Sequence, residues 1–177
     1  MSFAEQTPLI ISGDIRSNIT FGLPFDEAHY EAVTEACCLR EDFTMLPSGD
    51  LTKAGEMGHI LSGGQKSRIS IARALYRKTS KIILIDGSLS SLDSRVARQV
   101  LDNLRTGELT RNKIVFLVTY DQDQATEMDY ILHITDKGTV EVLTPTDLQQ
   151  NNLKIVTSRQ ETSAEAEEEQ KQGTDVL

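Results

Sequence analysis

Leu61-Ser62-Gly63-Gly64-Gln65 runs into Lys66-Ser67-Arg68-Ile69-Ser70-Ile71-Ala72-Arg73-Ala74-Leu75-Tyr76 and then, past Arg77 to Ser80, into Lys81-Ile82-Ile83-Leu84-Ile85-Asp86. Two adjacent glycines let backbone amides approach an anion closely, and Ser62 adds a hydroxyl. A helix beginning near Gln65 would point its positive dipole end at the same place. Ile69, Ala72, Leu75 and Tyr76 recur at helical spacing as one buried stripe. Lys66, Arg68, Arg73 and Arg77 fall outside it, as on a solvated face. Ile82 to Ile85 is apolar throughout, the pattern of a strand in a parallel sheet covered on both sides. Such a strand delivers Asp86 to the sheet edge where open α/β sheets bind ligands.

The flanking segments extend an α/β pattern. Val96, Val100, Leu101 and Leu104 predict a helix, and Ile114 to Val118 the next strand, completing a βαβ unit with a right-handed crossover. Upstream, Ile15 to Gly22 reads as a short amphipathic turn or helix closed by glycine. Asp26 is placed to cap a helix from Glu27 to about Leu39, with Ala28, Val33, Ala36 and Cys37 on its apolar face. A further short helix is expected near Arg40 to Leu46, broken by Pro47-Ser48-Gly49-Asp50. Tyr130 to Thr135 and Thr139 to Leu143 flank Asp136-Lys137-Gly138 as a hairpin, and Thr146 begins a last short helix.

Taken together, Leu61 to Gln65, the helix behind it and the strand ending at Asp86 resemble the signature motif and magnesium-site strand of an ATP-binding cassette (ABC) domain. The resemblance spans roughly residues 2 to 150. Asp14-Ile15-Arg16-Ser17-Asn18-Ile19-Thr20-Phe21-Gly22 and Gly49-Asp50-Leu51-Thr52-Lys53-Ala54-Gly55-Glu56-Met57-Gly58 are similar to segments of the multidrug-resistance-associated proteins and the cystic fibrosis conductance regulator, the C subfamily, and especially to their first nucleotide-binding domain. The resemblance implies a P-loop NTPase-like α/β cassette with a mostly parallel core sheet, a helical signature subdomain over about 23–80, and a C-terminal hairpin and helix. It further implies ATP and Mg²⁺ as ligands. Ser62, Gly63, Gly64 and Gln65, with Asp93 of the Ser90-Ser91-Leu92-Asp93 D-loop, would face the nucleotide of a second cassette in a head-to-tail dimer. Asp86 would be the Walker B aspartate and Gln6 the glutamine-loop residue, both at the metal. The expected place is the cytoplasmic face of a membrane, beside transmembrane domains.

Three departures bear on activity. None of the eleven glycines begins Gly, four residues, Gly, Lys, Ser or Thr, the pattern whose amides and lysine cradle phosphates. Gly87 stands where the resemblance puts the catalytic glutamate, and glycine can neither accept a proton nor orient water; losing a positioned base costs on the order of 10² to 10⁴ in rate. Tyr120 stands at the switch histidine, and a phenol with pKa near about 10 donates a hydrogen bond without poising the site as imidazole does. The expectation is therefore an incomplete cassette, 1–157, from a longer exporter or channel, with a degenerate site of its own. Without P-loop elements its sheet should expose apolar edges.

Composition limits the alternatives. A net charge of −9 argues against nonspecific nucleic-acid binding, which needs a basic surface. The longest apolar runs fall far short of the roughly 18 to 20 residues of a membrane span. Cys37 and Cys38 make no ligand spacing with His29, His59 or His133 and read as packing residues. Residues 158–177, rich in Glu, Gln, Ser and Thr, are expected to form a disordered acidic tail or linker. A nonenzymatic dimerisation or regulatory module is the second reading. A soluble DNA-repair or translation-factor ATPase is the third, disfavoured by the lack of a coiled coil or second cassette.

Overall fold

A computed structural model describes residues 1–135 and 137–150; the expected acidic tail lies outside the described residues. In chain order the elements are β1 (Ser2–Ala4), α1 (Ile15–Thr20), α2 (Glu27–Ala36), α3 (Arg40–Met45), α4 (Gly63–Tyr76), β2 (Ile82–Asp86), α5 (Ser94–Thr106), β3 (Ile114–Val118), α6 (Gln122–Thr126), β4 (Ile131–Ile134), β5 (Val140–Leu143) and α7 (Pro145–Gln150). Two compact units divide the chain, Met1–Thr119 and the part from Tyr120 onward. No helix among the described residues is long and apolar enough to cross a membrane.

In the first unit β2 lies between β1 and β3, parallel to both. Its register aligns Ala4 with Ile85 and Ile85 with Leu117, so Ala4, Ile83 and Ile85 share one face and are fully buried. Helix α4 packs on β1 and β2, and its stripe widens beyond the expected four residues to include Ile71, Ala74 and two buried serines, Ser67 and Ser70. On the opposite face the register lines up Phe3, Leu84 and Phe116, with Ile114 and Val118 alongside. Phe3, Ile114, Phe116 and Val118 are exposed there, whereas the all-apolar run of β2 reads as covered on both sides. A parallel sheet ordinarily carries helices on each face; here, among the described residues, one face is left open.

Helix starts follow the capping residues. The Asp26 carboxylate accepts from the His29 amide and opens α2, which buries Tyr30, Val33 and Thr34 while the expected face residue Ala28 is exposed. Asp14 opens α1 in the same way. That helix ends at Phe21, whose left-handed φ of 46° is followed by Gly22 at 81°. The second unit contains the antiparallel hairpin β4–β5, with Ile131 opposite Leu143 and Ile134 opposite Val140, and its turn closes through Gly138 at φ 75°.

Candidate nucleotide-facing site

Ser62 is the N-cap of α4, and the cap is reciprocal. Its hydroxyl accepts from the Gln65 amide at 3.2 Å, while its own amide donates to Gln65 Oε1 at 2.9 Å. The amides of Gly63 and Gly64, in the first turn, have no intrahelical acceptor. They are what this helix start offers to an anion. A Cβ at Gly63 would meet nothing within 4 Å; at Gly64 it would meet the Ser91 carbonyl at 3.4 Å and the Leu92 side chain at 3.5 Å. The signature turn therefore lies open at Gly63 and against the D-loop at Gly64. Ser91 also donates to Ser67 on α4 at 2.6 Å, joining the two motifs. Asp93 caps α5, accepting from the Val96 amide at 3.0 Å, with its side chain at the surface.

Gln65 reaches a second element. Its Nε2 donates to Asp42 on α3 at 2.9 Å, and Asp42 also pairs with Arg68 at 2.6 Å. Arg68 in turn donates to the Cys38 carbonyl. Far from lining a solvated face, Arg68 is largely buried, with 13% of its side chain accessible. Arg73 behaves likewise: it donates to the Asn18 carbonyl at 2.8 Å and the Leu9 carbonyl at 2.7 Å, and lies 4.5 Å over the Phe21 ring. Composition places both arginines off the apolar stripe; their acceptors lie too far along the chain for local spacing to reveal.

In the sheet, β2 finishes at Asp86 as expected. The Asp86 carboxylate takes no hydrogen bond or ion pair from the described residues. Gly87 follows in the left-handed region, φ 57° and ψ 1°, and its amide donates to the Val118 carbonyl at 3.1 Å. The Gln6 side chain lies over it: a Cβ on Gly87 would sit 3.2 Å from Gln6 Cγ. Gln6 and Asp86 are thus brought to one edge by the pairing of β1 with β2. No group of three His, Cys, Asp or Glu side chains able to hold a metal occurs among the described residues. One open carboxylate and one amide do suit Mg²⁺, which keeps several waters and takes phosphate oxygens instead of a full protein cage. Tyr120 opens the second unit, 65% exposed. Cys37 is buried in the core, where desolvation pushes its thiol far up, out of reach of reactivity at neutral pH.

No protein-family model matches the chain. Individual proteins do. It is 37% identical over 173 residues, 93% of its length, to a pleiotropic ABC efflux transporter of multiple drugs from Candida glabrata. It is 43% identical over 143 residues, 81% of its length, to a probable multidrug resistance-associated protein of Drosophila melanogaster. Over all 177 residues it is 34% identical to the human ATP-binding cassette sub-family C member 4. The chain spans 10%, 10% and 13% of these curated relatives, respectively.

Proposed function

The chain is homologous to a domain of ABC transporters, with relatives in the C subfamily, and on that premise we propose that it is part of the first nucleotide-binding domain of an exporter or channel of that kind. Its role is to supply the signature turn and D-loop to the ATP site of a second cassette. The observation that carries this reading is the capped start of α4, where Ser62 is held by Gln65 and the two glycine amides remain without intrahelical acceptors. A γ-phosphate presented by a partner's P-loop would meet two amides, a hydroxyl and a helix dipole. ATP and Mg²⁺ are the ligands, and the chain works at the cytoplasmic face of a membrane beside transmembrane domains. Provided with a P-loop, its own edge, with Asp86 and Gln6 but Gly87 where a base is needed, would hold a metal–nucleotide pair with little or no turnover.

The left-handed Gly87 under Gln6 also favours the second reading, a regulatory or dimerisation module that hydrolyses nothing itself. The two part in one assay. MgATP turnover by a P-loop-bearing cassette domain is measured with and without this chain and with its Ser62→Ala variant. Stimulation by the wild type that drops in the variant supports the signature role; association without stimulation leaves only the module.

A further inference from the structure

The contact between Gln65 and Asp42 has no counterpart in the reading of Gln65 as a nucleotide-facing residue. Both ends of the Gln65 amide are engaged inside the chain. Oε1 accepts from the Ser62 amide at 2.9 Å and Nε2 donates to Asp42 Oδ1 at 2.9 Å. Asp42 is held in turn by Arg68, whose Nη2 donates to the same Oδ1 at 3.1 Å and whose Nη1 lies 2.6 Å from Oδ2. Accessibilities of 16% for the Asp42 side chain and 13% for Arg68 leave little water to compete, so these charge-assisted bonds keep their strength and direction. Arg68 is anchored to the Cys38 carbonyl at the end of α2, and Cys38 itself has a left-handed φ of 53°. A continuous path therefore runs from the α2–α3 corner through Arg68 and Asp42 to Gln65 and the Ser62 backbone.

We propose that Asp42 is a positioning residue for the signature turn, fixing the Gln65 amide so that Ser62 and the two glycine amides are set before any nucleotide arrives. The Gln65 amide has two flips, and Asp42 reinforces the one that the Ser62 amide favours and holds it in place. With the carboxylate at Oδ1, only the NH₂ end of Gln65 can face α3, which leaves the carbonyl end for Ser62. Without Asp42 only the Ser62 amide, at an exposed position, would favour the carbonyl end of Gln65 over a rotated or solvated amide. The role is preorganisation: a turn already in place pays no ordering cost when a phosphate docks. The inference rests on the reading of Leu61 to Gln65 as nucleotide-facing only for its consequence in catalysis; the positioning itself is measurable in the chain alone.

An exchange of donor and acceptor tests it. Gln65→Glu keeps an oxygen for the Ser62 amide but sets two carboxylates together at Asp42. Asp42→Asn sets two donors together or gives up Arg68. The double variant Asp42→Asn/Gln65→Glu restores a donor facing an acceptor, with the remaining amide oxygen for Arg68. Two readouts are taken on the full chain: hydrogen exchange of the Ser62 amide by NMR, and stimulation of MgATP turnover in a P-loop-bearing cassette domain. Each single variant is expected to speed Ser62 exchange about tenfold, as loss of one charged hydrogen bond would, and to lower stimulation by a similar factor. The double variant recovers most of both. Losses in the two single variants that add in the double would overturn the proposal, as would unchanged Ser62 exchange in Gln65→Glu. If even the wild type stimulates nothing, the signature reading fails, and the exchange data alone decide the role of Asp42.

Discussion

Replacing Gly87 with alanine isolates what the backbone at this position requires. The residue sits at φ 57°, ψ 1°, where an added Cβ presses on the following carbonyl at a cost of about 1 to 2 kcal/mol. Alanine also restricts the unfolded chain, which returns about 0.4 to 1 kcal/mol. The new Cβ would lie 3.2 Å from Gln6 Cγ, closer than comfortable, but Gln6 is exposed and can swing aside. The net expectation is a loss of about 1 kcal/mol, or about 2 to 4 °C in melting temperature for a chain of this size. Differential scanning calorimetry of Gly87→Ala against wild type reads it, with Gly63→Ala as control, since Gly63 has an ordinary helical φ and open space around it. Gln6→Ala/Gly87→Ala should melt below Gln6→Ala by as much as Gly87→Ala melts below wild type, because the strain lies in the backbone. A Gly87→Ala protein that melts at or above the wild-type temperature would refute the assignment of strain to φ. Gly87→Glu carries the same penalty with a longer side chain to place beside Gln6, so reinstating a carboxylate costs stability before it can offer a base.

Asn18 is fully buried, accepts from the Ile11 amide at 2.9 Å and donates to the Ile11 and Asp14 carbonyls. Asn18→Ala should cost about 2 to 4 kcal/mol through the groups it leaves unpaired, measured as a lower urea midpoint at constant slope. Ser62→Ala removes the cap of α4 and should cost about 1 kcal/mol in the same assay. His29 is held below its ordinary value of 6.5 by desolvation first, with Lys78 and Lys113 adding to the effect, although its bond to the Tyr76 carbonyl and the nearby Asp26 oppose it. Because the folded value is the lower one, stability should be full above about pH 6.5 and decline as pH falls through the lowered value. His29→Phe should flatten that part of the urea-midpoint profile. Finally, the exposed face of Phe3, Ile114, Phe116 and Val118 should drive self-association with concentration, and Phe116→Lys should reduce it by sedimentation.

The architecture around α4 and β2 was legible because two periodicities abut there: a stripe at Ile69, Ala72, Leu75 and Tyr76, then four consecutive apolar residues ending in a carboxylate. Each leaves a local imprint on the sequence. The cap at Asp26 was similarly local, since a cap and the amide it accepts from are three residues apart, whereas the cap at Asp93 went unread behind its D-loop assignment. What escaped was long-range pairing. Arg68 and Arg73 look solvated because they fall off the stripe, yet their partners Asp42 and Asn18 lie 26 and 55 residues away. Gly87 was legible as a missing functional group; the left-handed backbone under Gln6 was not, since glycine is permitted every conformation and so announces none. The open sheet face follows from how few elements cover it, a property of assembly that the apolar run in β2 alone cannot express.

The pairing of β1 with β2 also constrains the order of assembly. Ser2 aligns with Ile83 and Ala4 with Ile85, although nearly the whole helical region separates them along the chain. During synthesis, β1 and Gln6 have no β2 to pair with until about eighty more residues have been made, several seconds at ordinary translation rates. Helices α1 to α4 have local contacts and can begin to form in that interval. The β1 segment is thus made well before it can be secured, and the edge that carries Gln6 beside Gly87 is a late product of folding. Conditions that pause elongation between α4 and β2 should lengthen the life of an unpaired β1 segment and raise its cleavage by proteases, with little change in the folded protein's own resistance.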